Sequence, residues 1–421
     1  MSSRSDLLAI IESGLNGVDG KRCVINALHG RAELQGMQNA LGVQGNIGIV
    51  AIGKAASSMA EGALKYLGSK VVSGLVVSKD TISLTDSLPP YIEQLVAGHP
   101  VPDQRSLDAG QALIRYLKNC SPATSLLFLI SGGASALVEV LPEKVSLQQL
   151  QKLNHWLLTS GLDIEQMNAI RQCVSCIKAG RLASYIQASQ VVSLLMSDVM
   201  SNSVAMIGSG LLAVSRTPLP DVAIDFDRVP QWVRQLCLEQ PLRLGIDDSV
   251  LVHIDQVIVI DLDMALNAMM QAALDGGYTV FRHDEEMSGN VMRWADTITE
   301  YLVEAPSGLH LWGGETTLQL PATSGCGGRN THLALLLAQR LYDKSGFIVA
   351  TVASDGDDGN SGYAGAIVDG STLSKAGITQ AMAQQALAYA DSATLLKQAG
   401  ALLSLAKGRS NVADIFLLVK H

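Results

Sequence analysis

Short runs of Val, Ile, Leu and Ala that break off in glycine-rich or acidic turns, each followed by helical periodicity, constrain this chain more than any other feature. NIGIVAIG leads into KAASSMAEGALKYL, SLLFLISGG leads into ASALVEV, and GLVVS and VVSLLMSD end in the same way. Apolar runs without alternation are strands buried on both faces, and the helical stretches are the crossovers that parallel strands require. The pattern predicts an α/β fold. The 421 residues, 48% of them hydrophobic, suffice for two such domains whose cores need neither disulfides nor a structural metal. Between Thr217 and Ile254 a proline- and acid-bearing stretch interrupts the alternation, which places domains at 1–235 and 236–421. Beyond it come QVIVID, MALNAMMQAALDGG, YTVFRHD, HLWGGETTLQL, THLALLLAQRLY, FIVATVASDG, AGAIVDG and DIFLLV. Their hairpin-like connections predict a mixed sheet in the second α/β domain.

Lys and Arg total 30 against 39 Asp and Glu, a net charge of −9 without a long basic block, so no nucleic-acid partner is expected. MSSRSDLLAIIESGL reads as an amphipathic helix carrying acids, not as a signal peptide, and no apolar run approaches the ~18 residues of a membrane span. A soluble, cytoplasmic protein without a membrane partner is expected, and a homodimer is compatible with this reading. Six scattered cysteines argue against a disulfide framework. The one CxxC, Cys173 to Cys176, falls inside a helical pattern from about Glu165 to Ile186 and reads as small helix residues. His332 and His155 sit in helix-like apolar surroundings, where a structural histidine is expected, and there is neither an H-x-x-x-H pair nor a G-x-S-x-G elbow.

Several turns carry chemistry. Gly48 to Lys54 has the G-x4-G-K spacing of a phosphate loop, but its middle is an apolar strand and Ala55 stands where Ser or Thr should bind magnesium. What remains is Lys54, after Gly53, at the carboxyl end of a strand, where open α/β sheets place ligands. Ser131, Gly132, Gly133, Ala134 and Ser135 follow another strand, and glycines with the first amides of a helix suit an anion. Gly208 to Ala213 matches G-x-G-x-x-A, but SNSVAMI before it hardly resembles a strand end. Ser197-Asp198, Gly313-Gly314-Glu315-Thr316 and the SDGDDG run containing Asp355 put carboxylates at strand ends, where phosphoryl-transfer sites hold magnesium; SDGDDG lacks the spacing of an EF-hand. Gly325 to Asn330 pairs a mobile glycine loop, through Gly328, with Arg329, whose planar fork suits carboxylate or phosphate.

Taken together, Ile52-Gly53-Lys54-Ala55, AGHPVPD at 97–103, SGGASAL at 131–137, the N-x-x-R…IKAGRLA block at 168–183, LMSDV at 195–199, GGETT at 313–317, GGRN at 327–330 and SDGDDG at 354–359 resemble the class II glycerate kinases, which carry a C-terminal MOFRL domain and are often labelled hydroxypyruvate reductase. The similarity runs in order along nearly the whole chain. It implies a Rossmann-like N-terminal domain, a cleft between the domains, and ATP- and Mg2+-dependent phosphorylation of D-glycerate, or a similar 2-hydroxy acid, to 2-phosphoglycerate. The resemblance places Lys54 and Arg329 at the site. Together with the turns above, the expectation is that Lys54, Arg329 and Asp198 are catalytic, that Gly53, Ser131, Gly132, Gly133, Ser135, Lys178, Glu315, Gly328, Asn330 and Asp355 bind substrate or nucleotide, and that Asp198 and Asp355 hold the metal.

The family's R-K-H-L-S becomes Arg171-Gln172-Cys173-Val174-Ser175, its S-D-V-P-G-D-D becomes Ser197 to Ser203 without the aspartate pair, and its T-G-P-T-G-T-N-V-N-D ends as Lys407 to Asp414 with an altered turn. Such losses of charge alter nucleotide or metal binding. Two other readings stay open: an NAD(P)H-dependent hydroxypyruvate reductase, motivated by the family label and the 208–213 glycines, and a noncatalytic ligand-binding member.

Overall fold

A computed structural model describes residues 4–30, 46–79, 88–160, 162, 164–213, 229–238, 254–321 and 323–421. The chain forms two compact units. The first is Gly20–Ile260; the second combines residues 4–19 with Asp261–His421.

The first unit is built on a six-stranded parallel sheet of β1 (Ile47–Ile52), β2 (Val71–Ser78), β3 (Ile92–Val96), β4 (Ser125–Ile130), β5 (Val191–Met196) and β6 (Ile254–Ile260), in the order β3-β2-β1-β4-β5-β6. This is the doubly wound Rossmann order, whose winding reverses between β1 and β4. Every residue of β1, β4 and β5 is buried, as expected of strands covered on both faces. Helix Gln104–Asn119 covers part of one face and starts sharply because Asp103 and Ser106 cap it reciprocally: the Ser106 N–H donates to Asp103 Oδ1 at 3.3 Å and the Asp103 N–H to Ser106 Oγ at 3.1 Å. Asp103 of AGHPVPD is thus a helix cap.

The second unit has a mixed sheet, as its sequence predicts, of β7 (Val280–Arg282), β8 (Met287–Asn290), β9 (Gly308–Thr317), β10 (Phe347–Ala353), β11 (Gly365–Asp369), β12 (Leu402–Leu403) and β13 (Asp414–Lys420). The order is β12-β11-β10-β13-β9-β7 with β8 also on β9; β7 and β8 run parallel to β9 and the other pairs are antiparallel. Helices Arg329–Arg340 and Val291–Glu304 pack their Leu, Ile and Trp side chains on Phe416, Leu418, Val349 and Trp312. Helix Leu262–Asp275 lies against β9, where Leu262 crowds Gly313, and the N-terminal helix Arg4–Gly17 packs on it with Gly14 facing Met269.

The boundary expected at 235/236 falls within helix Gln231–Leu238, and Ile254–Ile260, expected to open the second domain, pairs instead with β5 of the first sheet. Prolines mark the change of sequence texture, while the sheet closes only with its edge strand. Most of the proline-bearing stretch, 214–228 and 239–253, lies outside the described residues. The helical pattern from Glu165 to Ile186 resolves into helix Ile164–Cys173, a turn, and a short 3-10 helix Arg181–Tyr185, because Ala179 and Gly180 adopt positive φ (52° and 79°) that no α-helix accommodates. His155 is exposed rather than set among apolar side chains, whereas His332 is buried.

Candidate active site

In the first unit the sequence signals gather where the strand order reverses. Ile52 at the end of β1 is in register with Ile130 at the end of β4, so Gly53-Lys54 and Ser131-Gly132-Gly133 leave the sheet side by side. Three bonds stitch them together: the Ser131 N–H donates to Ile52 O (3.0 Å), the Lys54 N–H to Gly132 O (3.0 Å) and the Ala55 N–H to Ser131 Oγ (3.0 Å). Gly53 has φ 134°, and a methyl there would strike Ser131 Oγ at 2.1 Å, so both conformation and space require glycine. Ser131 is therefore a structural hinge pin between the two turns.

The amides of Gly132 and Gly133 find no acceptor among the described residues. Gly133 is left-handed (φ 84°), and a methyl on it would sit 3.2 Å from Lys54 Cγ and 3.0 Å from His99 Nε2. Two open backbone donors with a lysine and a histidine alongside are an arrangement that suits an anion. The helix behind it is only Ala134–Leu137, four residues, so its dipole adds little and the attraction comes from the turn itself.

The remaining first-unit residues divide in role. Asp198 follows β5, two strands from β1 or about 10 Å along the same sheet edge. It is partly buried, behind Ser197, whose N–H donates to Ile260 O at 2.8 Å. Ser135 Oγ contacts Ser209 Oγ at 2.8 Å, and Ser209 Oγ donates to Asn168 Oδ1 at 2.9 Å. Lys178 is 2% exposed and ion-paired with the fully buried Glu139, which also accepts the Val140 N–H at 3.0 Å. Burial draws the ammonium's pKa down while Glu139 opposes that. Its nearest partner is thus an internal carboxylate, a role that sequence could not distinguish from ligand binding. The 208–213 glycines form a 3-10 turn, Ile207–Ser209, with Gly208, Ser209 and Gly210 all at positive φ; no strand leads into it, as a dinucleotide turn requires.

In the second unit Arg329 is the first residue of helix Arg329–Arg340 and is held by two carboxylates. Its Nε and a terminal nitrogen (Nη2) donate to Asp414 at the start of β13, the latter at 3.1 Å, and its other terminal nitrogen (Nη1) meets Glu315 Oε1 at 2.6 Å. Burial lowers the guanidinium's pKa, but Asp414 and Glu315 outweigh it and keep the group charged. Glu315 lies inside β9 rather than in a turn, and Gly314 beside it pairs with Asp414. Asp358 of SDGDDG reaches under the helix start: it accepts the Asn330 N–H (3.0 Å), the Thr331 N–H (2.8 Å) and the Thr331 hydroxyl (2.9 Å). Burial pushes its pKa up to about 6 despite those donors. Asp355, 6% exposed, follows β10 and accepts the Asp357 N–H at 3.0 Å, and Lys407 of the altered C-terminal turn pairs with Asp357 at 2.7 Å.

The glycine loop expected to be mobile is pinned. Gly325 N–H donates to Tyr389 O, Cys326 N–H to Asp391 Oδ1, Gly327 N–H to Asn360 Oδ1 and Gly328 N–H to Thr331 Oγ1, all within 2.7–2.9 Å. A methyl at Gly328 would lie 2.4 Å from the Asp358 carboxyl carbon. These glycines allow close approach, not motion.

Sequence reading passed over His99, Asp414 and Asp358. The first and last lie inside motifs that the resemblance quotes, and Asp414 closes the C-terminal one; a histidine beside a glycine turn and acids flanking the GGRN arginine were the available signals. Among the described residues no group of three or more His, Cys, Asp or Glu side chains is arranged to hold a metal, and no helix is long and apolar enough to cross a membrane.

Comparison with known proteins bears on both units. A domain of unknown function, DUF4147, matches residues 6–234, and the MOFRL family matches residues 308–414. The chain is 31% identical to the D-glycerate 2-kinase of Thermotoga maritima over 386 residues, 88% of this chain and 89% of that protein. It is 28% identical to the glycerate 2-kinase of Pyrococcus horikoshii over 439 residues, 100% of this chain and 98% of that protein. The crystal structure of glycerate kinase from Thermotoga maritima matches with a TM-score of 0.76 and 26% identity, over 99% of each chain.

Proposed function

We propose that this chain, which belongs to the class II glycerate kinase family, is an ATP-dependent kinase that transfers a phosphoryl group to the 2-hydroxyl of D-glycerate, giving 2-phosphoglycerate. The observation that carries the reading is the pair of open amides at Gly132 and Gly133 beside Lys54, at the reversal point of a Rossmann sheet. Backbone donors and a lysine fixed in advance stabilise charge developing on phosphoryl oxygens without reorganising during the reaction. Lys54 and His99 flank the same turn, so an anion seated there meets the cation and the ring together. In the second unit Arg329 is held in a fixed orientation by Asp414 and Glu315, and its planar fork suits a carboxylate or phosphate.

Magnesium fits the donors present. The ion keeps several waters and is held by one or two carboxylates plus phosphates rather than by a protein cage. Asp198 and Asp355, single carboxylates at strand ends, suit that role. Bound, the ion neutralises charge on the transferring phosphoryl group. The net charge of −9, with no long basic block, supports a small-molecule substrate over a nucleic acid.

Coupled ADP release with ATP, Mg2+ and a panel of small 2-hydroxy acids tests the reading. Turnover that depends on D-glycerate, with 2-phosphoglycerate identified by phosphorus NMR, is expected; no ADP release across the panel would overturn it.

A further inference from the structure

Three cations crowd residues 171–181 of the first unit with a single buried acid, Glu139, among them. Two are satisfied internally. Lys178 is paired with Glu139, and the Arg181 guanidinium donates from Nε to Ser175 O at 3.0 Å and from a terminal nitrogen to Gln172 O. Arg171 is different. It is partly buried, burial draws its guanidinium's pKa down, and among the described residues no hydrogen bond or ion pair engages its side chain.

A partly desolvated guanidinium that no acid among the described residues pairs is costly to keep. The position explains what the charge is for. Helix Ile164–Cys173 turns one face toward the anion-binding turn: Asn168 Oδ1 accepts the Ser209 hydroxyl, Gln172 Nε2 donates to Ser209 O at 3.3 Å, and Ser209 Oγ meets Ser135 Oγ, two residues beyond Gly133. Arg171 stands three residues after Asn168, a spacing that shares a helix face, and it is close enough to Lys178 for the two charges to repel. Ser209 holds its place at φ 58°, a left-handed conformation that a serine adopts only when its surroundings impose it.

We propose that Arg171, on the helix that Ser209 ties to Ser135, forms a second anion subsite, and that it takes the carboxylate of the small hydroxy acid, leaving the Gly132–Gly133 amides to the phosphoryl group. The planar fork of arginine matches the two oxygens of a carboxylate, and a nucleotide phosphate offers the same oxygen chemistry. The inference rests on the glycerate kinase reading, and the experiment separates the two.

The test is steady-state kinetics of Arg171→Gln and Arg171→Lys with D-glycerate and ATP varied in turn. The expected result is a KM for D-glycerate raised at least tenfold by Arg171→Gln and partly restored by Arg171→Lys, with the KM for ATP within twofold of wild type. An unchanged KM for D-glycerate, or a rise confined to ATP, overturns the assignment. Should the wild-type protein release no ADP, the kinase reading fails by itself, and the subsite is judged by D-glycerate's effect on melting temperature. An upward shift in wild type that is absent in Arg171→Gln and absent with the uncharged glyceramide supports it; no shift in wild type overturns it. If both variants fail to fold, Arg171 is structural and the assignment falls.

Discussion

The turn at 131–133 and the loop at 325–328 are both glycine-rich and both lead into a helix, yet their backbone donors are used in opposite ways. In the first the Gly132 and Gly133 amides remain open beside Lys54 and His99. In the second each amide from Gly325 to Gly328 is bonded, and the glycines exist so that Asp358, Asp391 and Ser392 can come within reach. An open turn leaves its backbone donors available to an anion. A closed loop recruits nothing with its backbone and instead fixes one side chain, Arg329, between Asp414 and Glu315. Glycine content alone does not tell the two apart; the acceptors supplied from elsewhere in the chain do.

The largest expected effect sharpens this contrast by removing the cation from each region. Arg329→Met leaves Asp414, 1% exposed, as an unpaired buried charge, so stability should fall by about 3–5 kcal/mol along with activity. Lys54→Met should lower kcat/KM by about a hundred- to a thousandfold while stability changes by less than about 1 kcal/mol. Urea denaturation beside the ADP assay reads both. Equal stability losses in the two variants would break the distinction.

Next in size is a pH effect confined to the closed loop. Asp358 titrates near 6 in the folded protein, above the ordinary aspartate value, because burial disfavours its charged form. The folded state therefore holds a proton that the unfolded chain releases, and the associated stability is greatest below about pH 4 and declines as pH rises to about 6. Asp358→Asn removes the titration while keeping one of the two acceptor oxygens that the Asn330 and Thr331 amides use. The stability of wild type relative to this variant should fall by about 2–3 kcal/mol between pH 4 and 7, and be flat above it. A difference independent of pH would mean that the carboxylate is not desolvated as the loop geometry requires.

Much of this was legible in the sequence, for identifiable reasons. Uninterrupted apolar runs such as SLLFLI and VVSLLM state that a strand is covered on both faces, and that suffices for the α/β class and for Lys54 at a strand end. The mixed second sheet followed from the close spacing of its strands. What was not legible depends on pairing across long separations. Nothing local to Lys178 reveals Glu139 thirty-nine residues earlier, and nothing local to Gly325 reveals Asn360 or Asp391. The boundary misled for the same reason: prolines are visible in sequence, whereas the partnership of Ile254–Ile260 with β5 is a fact of register.

The smallest expected effect examines the closed loop without touching its charges. Gly328 has φ −147°, an extended conformation open to any residue, so Gly328→Ala brings no backbone strain and acts only through its methyl. That methyl meets the Asp358 carboxyl carbon at 2.4 Å and backbone of the same residue at 2.5 Å, and backbone cannot swing aside as a long side chain does. Overpacking of this kind should cost roughly 1–2 kcal/mol. Displacing Asp358 also loosens the cap on the Asn330 and Thr331 amides, and with it the helix start that carries Arg329, so turnover should fall several-fold without a change in which acid is phosphorylated. A variant as stable and active as wild type would show that the loop has room to relax, and that its glycine at 328 is not what brings Asp358 to the helix.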